Sequence, residues 1–153
     1  VKYCHNIKNC KGFTLLEVLI SLGILSIILL TLMSFFSQSF QYTKNNESKT
    51  VGINVARNVL NYMESQDFAK IREQFPASAS PVTLTKDHFP NDFELEGYNE
   101  NIFEMKVNNV IYSATVVLSN HDETELQDYL IPVTVIIHWG DNYETSLKGV
   151  IKK

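Results

Sequence analysis

Val18 to Phe36 reads VLISLGILSIILLTLMSFF, fourteen apolar residues in nineteen, and no charged side chain occurs between Glu17 and Lys44. At about 1.5 Å rise per residue these nineteen residues span about 28 Å, which matches a bilayer hydrocarbon core of about 30 Å. The stretch is expected to be a membrane helix. Upstream, residues 1–12 hold Lys2, Lys8 and Lys11 and no acid, whereas residues 13–153 hold ten basic and seventeen acidic side chains, a net of -7. The lysine-rich flank stays cytoplasmic, so the topology is N-in, C-out, with the bulk of the chain exported across the cytoplasmic (inner) membrane.

A cleavable secretory signal accounts for part of this pattern, with Ser37-Gln38-Ser39 before Phe40 as its small-x-small site. Such signals carry an apolar core of only about 7–15 residues, shorter than this one. Glu17 weighs further against it, because a carboxylate at the lip of an apolar helix is costly unless paired, and an ionisable group there points to function.

The residues just ahead of the run are Lys11-Gly12-Phe13-Thr14-Leu15-Leu16-Glu17-Val18-Leu19-Ile20. This segment resembles the prepilin peptidase recognition sequence of type IV pilins and pseudopilins: a short basic leader ending in glycine, an aromatic residue, a glutamate four residues later and an apolar run. The resemblance implies cleavage between Gly12 and Phe13 on the cytoplasmic side and N-methylation of Phe13. Gly12 leaves the scissile bond open to an enzyme at the membrane surface. The new α-amine, with an ordinary pKa of about 7.7–8.0, is mostly cationic at neutral pH and can partner Glu17. Four residues apart on a helix the two share a face, and in the family the glutamate pairs with the terminal amine of a neighbouring subunit. Implied partners are prepilin peptidase, other pilin or pseudopilin subunits, an inner-membrane assembly platform and membrane lipid.

The resemblance in detail covers residues 11 to about 36; beyond that it is one of layout. The expected fold class is α+β and pilin-like, a long N-terminal helix packed on a C-terminal antiparallel sheet. The expected segments are a leader over 1–12, a transmembrane or fibre-core helix over 13–36, an exported amphipathic helix over 37–75, a variable loop over 76–101 and the sheet over 102–153. In the exported helix Ala56, Leu60 and Met63, flanked by Val55, Val59 and Tyr62, recur at helical spacing, with Lys49, Arg57, Asn58, Asn61 and Glu64 on the solvated side. Lys44-Asn45-Asn46-Glu47 is a weak helix former and a place for a bend. Pro76, Pro81 and Pro90 mark the loop.

In the last third, Phe103, Met105 and Val107 alternate with polar residues ahead of Asn108-Asn109 and the β-branched run Val110 to Leu118, a hairpin pattern. A second hairpin follows from Pro132-VTVIIHW-Gly140-Asp141-Asn142 into Tyr143 to Ile151. Here Val133, Val135, Ile137 and Trp139 are expected on one face, and Thr134, Ile136 and His138 on the other.

Other chemistry is weakly written. Cys4 and Cys10, with His5 between them, fall short of four close zinc ligands, and the chain from Phe13 onward has no cysteine. His88 beside Asp87 and Asp92 has no second histidine at ligand spacing, and Asp122, Glu123, Glu125 and Asp128 lack the EF-hand pattern. No nucleophile–base set is recognisable. The reading is therefore not an enzyme, with no metal and no cofactor. The -7 charge disfavours direct DNA binding unless Lys148, Lys152 and Lys153 form a local patch.

No proline occurs between Phe13 and Phe75, and the cysteine pair of many major pilins is missing. Within the resemblance the missing proline points to a minor pilin or pseudopilin of a type IV pilus (fimbrium), competence DNA-uptake pseudopilus or type II secretion machine, and the missing cysteine pair means that nothing dependent on the major pilins' disulfide loop carries over. A monomeric signal-anchored surface module, or a secreted binding module beginning at Phe40, is the alternative.

Overall fold

A computed structural model describes residues 12–90 and 93–153 of the chain. The leader cysteines Cys4 and Cys10, and Asp92 beside His88, lie outside the described residues. Helix α1 runs over Leu15–Glu64, unbroken through Lys44-Asn45-Asn46-Glu47 where a bend was expected. Thr50 Oγ1 donates to the Asn46 carbonyl (2.8 Å) there, so its hydroxyl is satisfied within the helix. By contact density the chain divides into two units, residues up to Lys44 and Asn45–Lys153.

In the second unit, Gly52, Val55, Ala56, Val59 and Met63 of α1 are buried, a spacing of three and four that makes one helical stripe. The anticipated solvent side, Lys49, Arg57, Asn58, Asn61 and Glu64, is exposed. The helix expected over 37–75 does not continue to residue 75. It ends at Glu64, and a separate helix α2 spans Phe68–Gln74. The cause is Asp67, whose carboxylate accepts from the Ala69 (2.8 Å) and Lys70 (3.1 Å) amides and so caps a new N-terminus.

The region expected as loop contains strand β1 (Val82–Thr85), and the one-turn helix α3 (Glu100–Phe103) starts at its end. Phe103, expected in a strand, closes α3, and β2 begins at Glu104 (Glu104–Val107). Strands β3 (Val110–Leu118), β4 (Leu130–Trp139) and β5 (Tyr143–Lys152) complete an antiparallel five-stranded sheet ordered β1-β3-β4-β5, with β2 also on β3. The β2–β3 hairpin turns at Asn108 (φ 50) and Asn109 (φ 64), the left-handed pair that matches strand twist and that asparagine tolerates.

Val133, Val135, Ile137 and Trp139 are buried while His138 is exposed, as the alternation predicted. They join Tyr112, Ala114, Val116 and Leu118 of β3, Phe68 and Ile71 of α2, Phe75 and the α1 stripe in one hydrophobic cluster. Gly52 is the point of closest approach: a methyl there would stand 2.9 Å from Trp139 Cζ3. The fold is thus α+β, a long apolar N-terminal helix followed by an antiparallel sheet.

Candidate functional site

Gly12, Phe13 and Thr14 precede the first turn of α1 in non-helical conformation. Among the described residues nothing lies within 4 Å of where a Gly12 side chain would begin, and Phe13 is 82% exposed. Thr14 then starts the helix: its carbonyl accepts from the Val18 amide (3.2 Å) and its Oγ1 from the Glu17 amide (3.2 Å). Thr14-Leu15-Leu16-Glu17 therefore has the spacing of a capping box, with Glu17 in the first turn. A carboxylate at that position faces unpaired backbone amides and the positive end of the helix dipole, a favourable interaction of about 0.3–1 kcal/mol at an exposed site. The sequence reading sought only an amine for Glu17; the Thr-x-x-Glu spacing was a legible signal for this additional support.

Along the apolar run the large hydrophobic side chains from Phe13 to Tyr42 are 45–82% accessible, and the helix is long and apolar enough to cross a membrane. Its hydroxyls are internally satisfied. Ser21 donates to the Glu17 carbonyl (2.7 Å), Ser26 to Leu22 (2.7 Å), Thr31 to Ile28 (2.8 Å) and Ser34 to Leu30 (3.3 Å). The four hydroxyls between Val18 and Phe36 therefore leave no bare proton facing lipid, the condition hydrocarbon imposes.

In the second unit the histidines are dispersed. His88 closes a turn with Thr85, His121 Nδ1 accepts from the Glu123 amide (3.1 Å), and His138 Nδ1 lies 3.6 Å from Glu144 Oε2 on the exposed sheet face. Asp122, Glu123, Glu125 and Asp128 are all exposed in the β3–β4 connection, and among the described residues no group of three or more His, Cys, Asp or Glu converges. Lys148, Lys152 and Lys153 are exposed; Lys153 lies over the Tyr129 ring at 5.4 Å.

Sequence reasoning missed two polar clasps that shape this unit. Arg72 of α2 donates to the Phe75 carbonyl (3.1 Å), Asn120 Oδ1 (2.9 Å), and the carbonyls of Gln127 and Leu130 (3.2 Å for the last). Burial pushes its guanidinium below the ordinary value, with nearby Asp128 opposing the shift. The second clasp is a pair of glutamines. Gln74 exchanges bonds with the amide (2.6 Å) and carbonyl (3.2 Å) of Glu94, and Gln66 does the same with Glu96 (2.8 and 3.2 Å), so two side-chain amides hold residues 94–96 as a neighbouring strand would.

Residues 7–33 match the family described as the prokaryotic N-terminal methylation motif. Over 57 residues the chain is 37% identical to the Type II secretion system protein I of Pseudomonas aeruginosa (strain PAO1), a stretch that is 37% of this chain and 44% of that protein. Over its N-terminal residues the chain is therefore similar to type IV pilin-like proteins. The matched family region contains Gly12, Phe13 and Glu17 and lies wholly on the basic N-terminal segment, the helix start and the apolar run. The match to the relative spans less than half of that protein's length, and no solved structure matches this chain.

Proposed function

We propose that this pilin-like chain is a minor pilin or pseudopilin, a filament subunit whose work is assembly. Residues 1–12 are the leader. Prepilin peptidase cuts between Gly12 and Phe13, Phe13 is N-methylated, and the helix over 13–36 holds the subunit in the cytoplasmic membrane, N-in and C-out, until it enters a filament or its tip. The observation that carries the reading is an exposed Gly12-Phe13 pair immediately before an exposed apolar helix whose first turn holds Glu17.

Each feature then has a physical task. Cleavage converts Phe13 into a basic amine four residues before Glu17, and that amine, on the same chain or on a neighbour, neutralises the carboxylate as the helix leaves the bilayer. Pairing with a neighbour also fixes axial register, because a single buried carboxylate accepts one amine position. The exposed apolar surface of the helix becomes the fibre core, and the sheet of the second unit becomes the filament exterior or tip. Other subunits and an inner-membrane assembly platform are the partners. Of the three machine types, the name of the matched relative favours type II secretion over DNA uptake or a surface pilus.

The test is a Glu17→Ala variant expressed beside the native filament components, with sheared filaments and membranes assayed separately. The variant is expected in membranes with its leader removed and depleted from filaments. Normal incorporation of Glu17→Ala would overturn the charge-pairing role, and absence of the unsubstituted chain from every filament fraction would favour a monomeric anchored module.

A further inference from the structure

The apolar run of α1 is followed by a short segment of different chemistry, Ser37-Gln38-Ser39-Phe40-Gln41-Tyr42-Thr43-Lys44. Its hydroxyls and amides are uncharged, its aromatic residues are open to solvent (Phe40 73%, Tyr42 63%), and Lys44 is the first charge after Glu17. Phe36 and Phe40 continue to Lys44 at four-residue spacing along one side of the helix. Phe35 and Tyr42, seven apart, lie on another side, so the aromatic rings cover about half of the helix circumference rather than one narrow stripe. Phe35 and Phe36 themselves meet edge to face at 6.2 Å. The second unit begins at Asn45, directly after this segment.

Length decides what this segment meets. Val18 to Phe36 spans about 28 Å, and Phe40 and Tyr42 stand about 6–9 Å beyond it, while Glu17 to Lys44 spans about 40 Å. A bilayer measures about 30 Å across its hydrocarbon and about 40–45 Å with headgroups. We infer that Phe36, Phe40, Tyr42 and Lys44 form an anchor for the lipid–water interface of the outer leaflet, which fixes the depth of α1. The rings sit at the acyl–headgroup boundary, the Tyr42 hydroxyl reaches headgroup oxygens, and the Lys44 ammonium meets lipid phosphate with its stem lying along the helix. The inference rests on the membrane reading of α1 given above and adds its register in the bilayer.

The anchor has a consequence at the other end of the helix. Glu17 lies 23 residues before Phe40, about 35 Å along the axis, which holds its carboxylate in the hydrated inner headgroup layer. A slide of one turn outward, about 5.4 Å, starts to draw that carboxylate into hydrocarbon while pulling Phe40 and Tyr42 into water. The two ends therefore oppose the same movement, and the subunit stays at one depth until a neighbour supplies a partner for Glu17.

The test uses the full chain with Cys4→Ser and Cys10→Ser, which leaves the helix and the folded unit untouched, in vesicles of phosphatidylethanolamine and phosphatidylglycerol at high lipid excess. A fluorescent label is placed on Leu25→Cys, Gln41→Cys or Asn46→Cys, so that no anchor residue is itself replaced. Quenching is compared between nitroxides on lipid headgroups, nitroxides near the acyl-chain ends, and iodide in the water. The anchor requires that the Leu25 label respond to the deep nitroxide, the Gln41 label to the headgroup nitroxide, and the Asn46 label to iodide. Adding Phe40→Ser and Tyr42→Ser should then shift the Leu25 and Gln41 responses together. If the Gln41 label behaves like Asn46 while Leu25 stays deep, the membrane reading stands and the anchor falls. Shielding of the Gln41 label from both headgroup nitroxide and iodide would put a second protein there and also overturns it. A Leu25 label that neither nitroxide reaches removes the membrane reading itself.

Discussion

Replacing Arg72 by methionine should loosen the second unit at one identifiable place. The guanidinium makes four hydrogen bonds, two of them to the Gln127 and Leu130 carbonyls and one to Asn120, all in or beside the β3–β4 connection. Its stem and head lie against Phe68 (5.5 Å) and Phe75 (5.9 Å). Methionine keeps the apolar stem and removes the donors. A hydrogen bond from a charged donor contributes about 1.5–3 kcal/mol, but the charge here is partly desolvated and relief of that cost offsets part of the loss. Its Nε is buried without a partner, so it adds nothing to the gain. The net expectation is destabilisation by about 2–4 kcal/mol, which at about 4 °C per kcal/mol for a unit of this size lowers the melting temperature by about 8–16 °C.

Thermal unfolding of the full chain in detergent, followed by near-ultraviolet circular dichroism and the fluorescence of Trp139, reads the change. Hydrogen exchange localises it, with amides of residues 119–130 accelerating ahead of those in β4. Arg72→Lys should recover less than half the loss, because one ammonium cannot serve carbonyls on both sides of the planar fork. An Arg72→Met chain within about 0.5 kcal/mol of the parent, with exchange over 119–130 unchanged, would refute the clasp.

Three other outcomes follow from the geometry. Tyr62 and Tyr98 are both raised above the ordinary 10.0, first by burial, and donate to the Glu96 and Lys86 carbonyls; Lys70 and Lys86 are raised above 10.5 by bonds to Glu96 and Glu104. Groups raised on folding stabilise fully below their unfolded pKa and lose that contribution as pH rises through the folded value, so these groups predict stability that falls above about pH 10, with Tyr62→Phe and Tyr98→Phe flattening the fall in alkaline denaturant titrations. Asn109→Gly should be neutral or stabilising by up to about 1 kcal/mol, because φ 64 suits glycine, whereas Asn109→Val should destabilise, as urea midpoints would reveal. Gln66→Leu should cost about 1–3 kcal/mol by leaving the Glu96 amide unpaired while its carbonyl keeps the Tyr62 hydroxyl, and equal stability of the two chains in urea would dismiss the glutamine clasp.

What the sequence discloses here depends on whether the cause is local. The β4 face of Val133, Val135, Ile137 and Trp139 is legible because alternation alone assigns it, and the Asn108-Asn109 turn because its residue types state the required backbone. The motif around Gly12, Phe13 and Glu17 is legible for the same reason: all its members lie within six residues. Arg72 is silent in the sequence, since its partners are backbone carbonyls 55 and 58 residues away and any residue type supplies those. Gln66 and Gln74 are hidden in the same manner. The end of α1 at Glu64 falls between these cases: apolar periodicity runs on into Ile71 and Phe75, and only the capping geometry of Asp67 separates two helices that share one buried stripe.

Cleavage after Gly12 changes a covalent bond, and mass spectrometry reads it directly. The intact mass and N-terminal sequence of the chain should be determined from membranes of cells with and without a prepilin peptidase. A chain beginning at methylated Phe13 is expected only where the peptidase is present. A Gly12–Phe13 bond left intact in both cells, or a chain beginning at Phe40, would contradict it.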